Sequence, residues 1–191
     1  MGTRMTLHRH YLIDASALVP FFLPEAGKPR AAITRLLRLR DKGRANLYVP
    51  NFCMAECSRA IAELTCKEDA ASDDSVGVYR GIMDELVDLV SRRRQGLIRS
   101  LELRRPHLVD IETIYIAQWR NPPRDPKQAL SGVDGLVLAM AKRLMEEYDR
   151  EHVRVVTARA AVARMCRETP ELLPPAVYTP KDPISEPLRR P

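Results

Sequence analysis

Tyr11-Leu12-Ile13-Asp14-Ala15-Ser16 is the stretch on which the fold turns. A short apolar run ends in a carboxylate, and small residues follow. Read as a buried parallel strand, it delivers Asp14 to the carboxyl edge of a sheet, where open α/β sheets place their ligands. Asp14 equally suits the N-cap of the next helix, because Asp is a favoured capping residue. The stretch alone leaves both roles open.

Outward from it, strands and helices alternate. The first strand spans 10–15, and a turn follows around Pro20, Pro24 and Gly27. Ile33, Leu36, Leu37 and Arg40 recur at helical spacing over 28–41, and Gly43 ends that helix. A second strand covers 46–50, with Asn51 as N-cap of a helix over 52–66. A polar break at 67–74 leads into a helix over 76–93, closed by Gly96. Residues 97–103 form a third strand and 108–120 a helix, while three prolines make 121–128 a loop. Ser131 starts the clearest helix, with Val133, Leu136, Val137, Met140, Ala141, Leu144 and Met145 on its apolar face. The β-branched run 153–157 is a strand, and 159–168 a short helix. From Pro170, seven prolines in 22 residues preclude regular structure. Such alternation predicts a mainly parallel sheet covered on both faces. It predicts one domain over 1–169, with a helical insertion at about 67–96, and a proline-rich tail over 170–191.

No apolar run in the 191 residues approaches the roughly 20 needed to span a membrane. Residues 1–10 lack the apolar core of a signal peptide, so a cytoplasmic location and no membrane partner are expected. Net charge is +6, and basic residues cluster at Arg35, Arg38, Arg40, Lys42 and Arg44, at 92–94, and at Arg99, Arg104 and Arg105. This balance favours a polyanion, nucleic acid before membrane, although Arg-rich helices also serve as solvated faces. Cys53, Cys57, Cys66 and Cys166 form no C-x-x-C pair and the four histidines are scattered, which argues against a zinc or redox site.

Three carboxylates stand where sheet-edge chemistry needs them. Asp14 ends the first strand, Glu56 lies early in the helix after the second, and Asp134 lies in the first turn of its helix. Each helical acid sits roughly 80° off its apolar stripe at about 100° per residue, so each flanks a buried face. Converging carboxylates repel, so either one is protonated or a cation neutralises them. All-oxygen ligands suit Mg²⁺ or Mn²⁺, and such an ion activates water for phosphodiester hydrolysis. The plainer roles are a capping box for Ser131 and Asp134 and a solvated helix surface for Glu56.

Leu12-Ile13-Asp14-Ala15-Ser16-Ala17-Leu18-Val19, then Val49-Pro50 with Ala55-Glu56, then 132–141 (GVDGLVLAMA), then Val155-Val156-Thr157, together resemble a PIN domain. The ordered set spans nearly 10–168 and is similar in particular to the VapC-type toxin ribonucleases of toxin–antitoxin systems. The resemblance implies a three-layer α/β/α fold, Mg²⁺ (or Mn²⁺) bound by Asp14, Glu56 and Asp134, and endonucleolytic cleavage of RNA. It also implies a homodimer and inhibition by a small antitoxin protein. Ser16 and Thr157 fall where the family commonly has hydroxyls; the plainer role is a bond to their own backbone near a turn. Two departures stand out. Arg159 occupies the position, two residues after Thr157, where the family usually places another acid; a guanidinium cannot ligate a metal. It would hold a substrate phosphate or pair with a site carboxylate and silence the site. The insertion and the tail also exceed a compact toxin. The alternative is therefore a degenerate PIN domain that binds RNA or a protein partner without catalysis. Asp14 also resembles the nucleophile of haloacid-dehalogenase-like phosphatases, but Ser16 stands where that chemistry wants a second Asp. No Gly-rich phosphate loop or dinucleotide fingerprint is present.

Overall fold

The computed structural model describes residues 8–23, 27–65, 73–90, 97–182 and 184. Five strands, β1 (Arg9–Ile13), β2 (Ala45–Pro50), β3 (Arg99–Leu101), β4 (Val153–Thr157) and β5 (Ala176–Tyr178), form one sheet in the order β3-β2-β1-β4-β5. Every pairing is parallel. Seven α-helices among the described residues complete a three-layer α/β/α fold: α1 (Ala15–Leu18), α2 (Gly27–Asp41), α3 (Asn51–Thr65), α4 (Asp73–Val90), α5 (Arg105–Arg120), α6 (Gly132–Tyr148) and α7 (Ala160–Glu168).

The central place belongs to β1. Leu12 pairs with Tyr48 on one side and Val155 on the other. A strand paired on both edges and covered on both faces reads as a near-continuous apolar run: Leu12 and Ile13 are fully buried, and the buried His10 before them has its Nδ1 3.0 Å from Tyr48 Oη. From β1 the chain builds outward to β2 and β3, then returns to build β4 and β5 on the opposite side. This reversal opens a crevice beyond the carboxyl ends of β1 and β4, the usual ligand position of open parallel sheets.

The helices fix what surrounds that crevice. On α6, Val137, Leu138, Met140, Ala141 and Leu144 are buried, as a core-facing stripe requires. Gly135 permits close approach to α5, since a Cβ there would lie 3.3 Å from the Tyr115 ring. Helix α4 lies against α3, with Tyr79 Oη and Ser58 Oγ 2.8 Å apart and Leu86 fully buried.

Several sequence expectations need correction. The tail is not devoid of regular structure. Ala176–Tyr178 joins the sheet, because three residues between prolines suffice for an edge strand, where a ladder tolerates missing donors. The first strand stops at Ile13, and Ala15–Leu18 is already helical. A 3₁₀ turn continues it over Val19–Phe22, with Pro20 early in the turn where its missing N–H costs nothing. The third strand keeps only Arg99–Leu101 of 97–103, and the proline-rich loop contains a 3₁₀ turn over Pro126–Gln128. Asn51 is the first helical residue of α3 rather than its cap; its Oδ1 accepts the N–H of Leu103 at 3.3 Å. Pro24 and Gly96 lie outside the described residues.

Candidate functional site

Asp14 follows β1 directly, and its backbone N–H donates to Val156 O at 3.1 Å, tying it to β4. Its backbone is extended and its Oδ1 accepts the N–H of Ala17 at 2.9 Å, so it caps α1. The same Oδ1 accepts from Ser16 Oγ at 2.7 Å. Capping and placement at the sheet edge therefore coexist in one side chain, which is only 4% exposed. Ser16 Oγ accepts the N–H of Ala158 at 2.9 Å and lies 3.4 Å from Thr157 Oγ1. It thus links the end of β1 to the end of β4 rather than to its own backbone. Thr157 is fully buried, and its Oγ1 accepts the N–H of Arg159 two residues on, at 2.9 Å. That bond is the local turn its residue type favours.

At the start of α6, Ser131 and Asp134 form a reciprocal capping box. Ser131 N donates to Asp134 Oδ2 at 2.9 Å, and Asp134 N donates to Ser131 Oγ at 3.2 Å. Tyr115 of α5 donates its hydroxyl to Ser131 O at 3.0 Å and steadies that turn. Asp134 is buried, and Arg159 Nη2 donates to the same Oδ2 at 2.9 Å. The Arg159 side chain is half exposed, so the pair closes one wall of the crevice while staying in reach of water.

Asp14, Ser16, Glu56, Asp134 and Arg159 all line one cleft of about 400 Å³. Leu64, Val133 and Val137 supply part of its apolar wall. Thr157 stands behind this lining, reaching the cleft through Ser16. Two lining residues escaped the sequence reading as site residues, Ser131 and Arg59. The signal for Arg59 is its spacing, three residues after Glu56 on α3, which shares a helix face.

The acids respond to one another. Burial, foremost, pushes the Asp14 carboxyl from 3.8 up to about 6; hydrogen bonds from Thr157, Ser16 and Ala17 hold it back, and the Asp134 charge adds to the rise. Burial and then Asp134 also raise Glu56, which Arg159 partly offsets. Arg159 is held more firmly protonated, first by its bond to Asp134 and then by the charges of Asp134, Asp14 and Glu56. Burial pushes the neighbouring Cys57 thiol up to about 12 and raises Cys53 as well, so neither is a ready nucleophile.

This donor set fits a hard divalent cation in its chemistry: crowded carboxylate oxygens, two of them on groups displaced toward the neutral form. In its arrangement it is not closed. Among the described residues no three Asp, Glu, His or Cys side chains stand ready to hold an ion. Asp134 Oδ2 is engaged by Arg159 and Ser131, so the guanidinium must move aside for that oxygen to serve as a ligand.

No protein-family model matches the chain, and no curated protein matches it in sequence. Among solved structures it is similar to VapBC2 from Rickettsia felis, bound to a DNA fragment from their promoter. That likeness has a TM-score of 0.54 and 10% identity, and covers 87% of this chain and 98% of that one. It is also similar to PAE2754 from Pyrobaculum aerophilum, with a TM-score of 0.41, 12% identity and coverage of 85% and 87%. Among the described residues no helix is long and apolar enough to cross a membrane. At 10% identity the VapBC2 likeness speaks for architecture, and the architecture of this chain is the PIN-like, VapC-like fold.

Proposed function

We propose that the chain is a metal-dependent endoribonuclease and the toxin of a toxin–antitoxin pair. The observation supporting this is the single cleft that Asp14, Glu56 and Asp134 line from three separate parts of the chain. Burial foremost, with the Asp134 charge adding to it, presses Asp14 and Glu56 toward protonation, and a divalent cation favours their charged forms. Asp14, Glu56 and Asp134 would hold Mg²⁺ or Mn²⁺. When bound, the ion supplies activated water and stabilises charge on a phosphodiester oxygen. The chain's own residues prepare the site. Ser16 orients the Asp14 carboxylate, with Thr157 behind it, and the N–H of Ser131 orients Asp134. Released from Asp134, Arg159 would pair with a backbone phosphate, which a guanidinium fork suits. The net charge of +6 favours RNA as substrate. The VapBC2 likeness supports an antitoxin partner, and the exposed Leu108, Val109, Ile116 and Trp119 of α5 offer a surface for a homodimer.

A second reading, a PIN domain that binds RNA or a protein without cutting, is favoured by one observation: the Arg159–Asp134 pair. Labelled RNA incubated with Mg²⁺, Mn²⁺ or EDTA separates the two. Nuclease function predicts cleavage by wild type with either ion, none with EDTA, and none by Asp14→Asn. RNA bound but intact in wild type, and cut by Arg159→Ser, would establish the second reading with Arg159 as its cause. Cleavage that persists in EDTA refutes the metal mechanism.

A further inference from the structure

A second cavity, of about 550 Å³, lies beside α7 and β5. Arg150, Arg164, Arg167 and Lys181 line it, and Asp182 is the one acid among its described lining residues. Asp182 Oδ2 already accepts the N–H of Tyr178 at 2.9 Å. The cavity is therefore strongly cationic, opposite in sign to the cleft at Asp14.

Arg164 makes this more than a basic patch. It is only 7% exposed. Its Nη1 donates to Glu168 at 2.6 Å and to Asn121 O at 3.3 Å. Its Nε and Nη2 are buried and have no hydrogen-bond partner among the described residues. Buried donors left unmet are costly, and charged ones most of all. Those two donors carry almost no water-accessible surface, so Arg164 acts on the cavity through its charge: with three more cations around it, the cavity suits a multivalent oxyanion. Position adds to this. Ala160, the first residue of α7, lines the cationic cavity, and Arg159 just before it lines the acidic cleft. Successive residues at the start of one helix thus line the two cavities.

We propose that the cationic cavity is a phosphate-binding subsite, with Arg164 as the buried charge behind it and Arg167 and Lys181 at its mouth. It receives a backbone phosphate of the RNA strand whose cleavage the neighbouring cleft carries out. The assignment of the strand rests on the nuclease reading, whereas the phosphate chemistry does not.

The test measures binding rather than cleavage. Fluorescence anisotropy of labelled single-stranded RNA in EDTA compares wild type with Arg167→Ala/Lys181→Ala and with Arg35→Ala/Arg38→Ala. Each double variant removes two exposed cations, and melting curves confirm that each is folded. The subsite predicts about tenfold weaker binding for the first variant. It also predicts a slope of log affinity against log salt shallower by about 0.7, the contribution of the one single-strand phosphate held there. The α2 variant should lose less, and millimolar inorganic phosphate should compete with RNA for wild type. Equal losses in the two variants would mean diffuse charge and overturn the subsite. Unchanged RNA binding, with inorganic phosphate raising the melting temperature of wild type but not of Arg167→Ala/Lys181→Ala, would assign the cavity to free phosphate and overturn the strand assignment. If wild type binds no RNA, the nuclease reading fails. The phosphate melting shift alone then decides the cavity: a shift confined to wild type supports it, and no shift sinks it.

Discussion

Asp14→Asn tests the crowding of the acidic cleft through stability alone. The Asp14 carboxyl titrates at about 6 in the folded protein against 3.8 when exposed. Between those values the folded state keeps a proton that the unfolded state has released, so stability falls as pH rises through that window. Above pH 6 both states are ionised, and the favourable contribution of the protonated acid is gone. The displacement corresponds to a loss of about 3 kcal/mol, which we take as an upper figure. Asparagine stays neutral at every pH, and its Oδ1 still accepts from Ser16 Oγ and Ala17 N. Urea unfolding in EDTA should therefore find Asp14→Asn equal to wild type near pH 4 and more stable by about 1–3 kcal/mol at pH 8. Glu56, raised in the same direction, leaves some residual slope in the variant. Mn²⁺ should reverse the order at pH 8, since an ion that binds only the folded wild type stabilises only it. A variant less stable than wild type at pH 8 in EDTA would refute the claim that this carboxylate is buried among like charges.

Arg159→Gln should lower stability by less than about 1 kcal/mol, because the side chain is half exposed. It should also tighten Mn²⁺ binding by at least about fivefold, the factor matching about 1 kcal/mol; titration calorimetry reads this. Arg164→Met should raise the unfolding free energy in urea by about 1 kcal/mol, since it removes two unmet buried donors at the expense of a partly exposed ion pair with Glu168. A loss there would mean that the donors are satisfied in solution. Ser131→Ala removes the N-cap of α6 and should cost about 1 kcal/mol. It should also weaken Mn²⁺ binding by loosening Asp134, which the same titration calorimetry reports.

Periodicity made the fold legible where an element is long or buried on both sides. Leu12 and Ile13 read as strand because a central parallel strand is a near-continuous apolar run, and α6 read as helix because its stripe covers four turns. The tail strand was hidden because Ala176–Tyr178 is only three residues long and carries no alternation that a flanking proline does not interrupt. At the site, the acids were legible as residue types at sheet-edge positions. Two of the plainer roles also hold, since Asp14 caps α1 and Asp134 completes a capping box, whereas Glu56 is half-buried in the cleft wall. What spacing could not supply was the partner of Arg159. Its reach to Asp134 depends on how α6 and α7 converge, a tertiary relation that no local pattern encodes. Arg164 was illegible for the same reason: burial of a guanidinium on a short, Arg-rich helix contradicts its usual solvated fate.

The cleft joins Asp14, near the beginning of the sequence, to Thr157 and Arg159, far along it. On the ribosome these groups emerge in that order, separated by roughly ten to thirty seconds at ordinary elongation rates. Throughout that interval β1 can pair only with β2, because the strand that covers its other edge has not yet been translated. Whatever chemistry the cleft performs thus waits until β4 and Arg159 have been made.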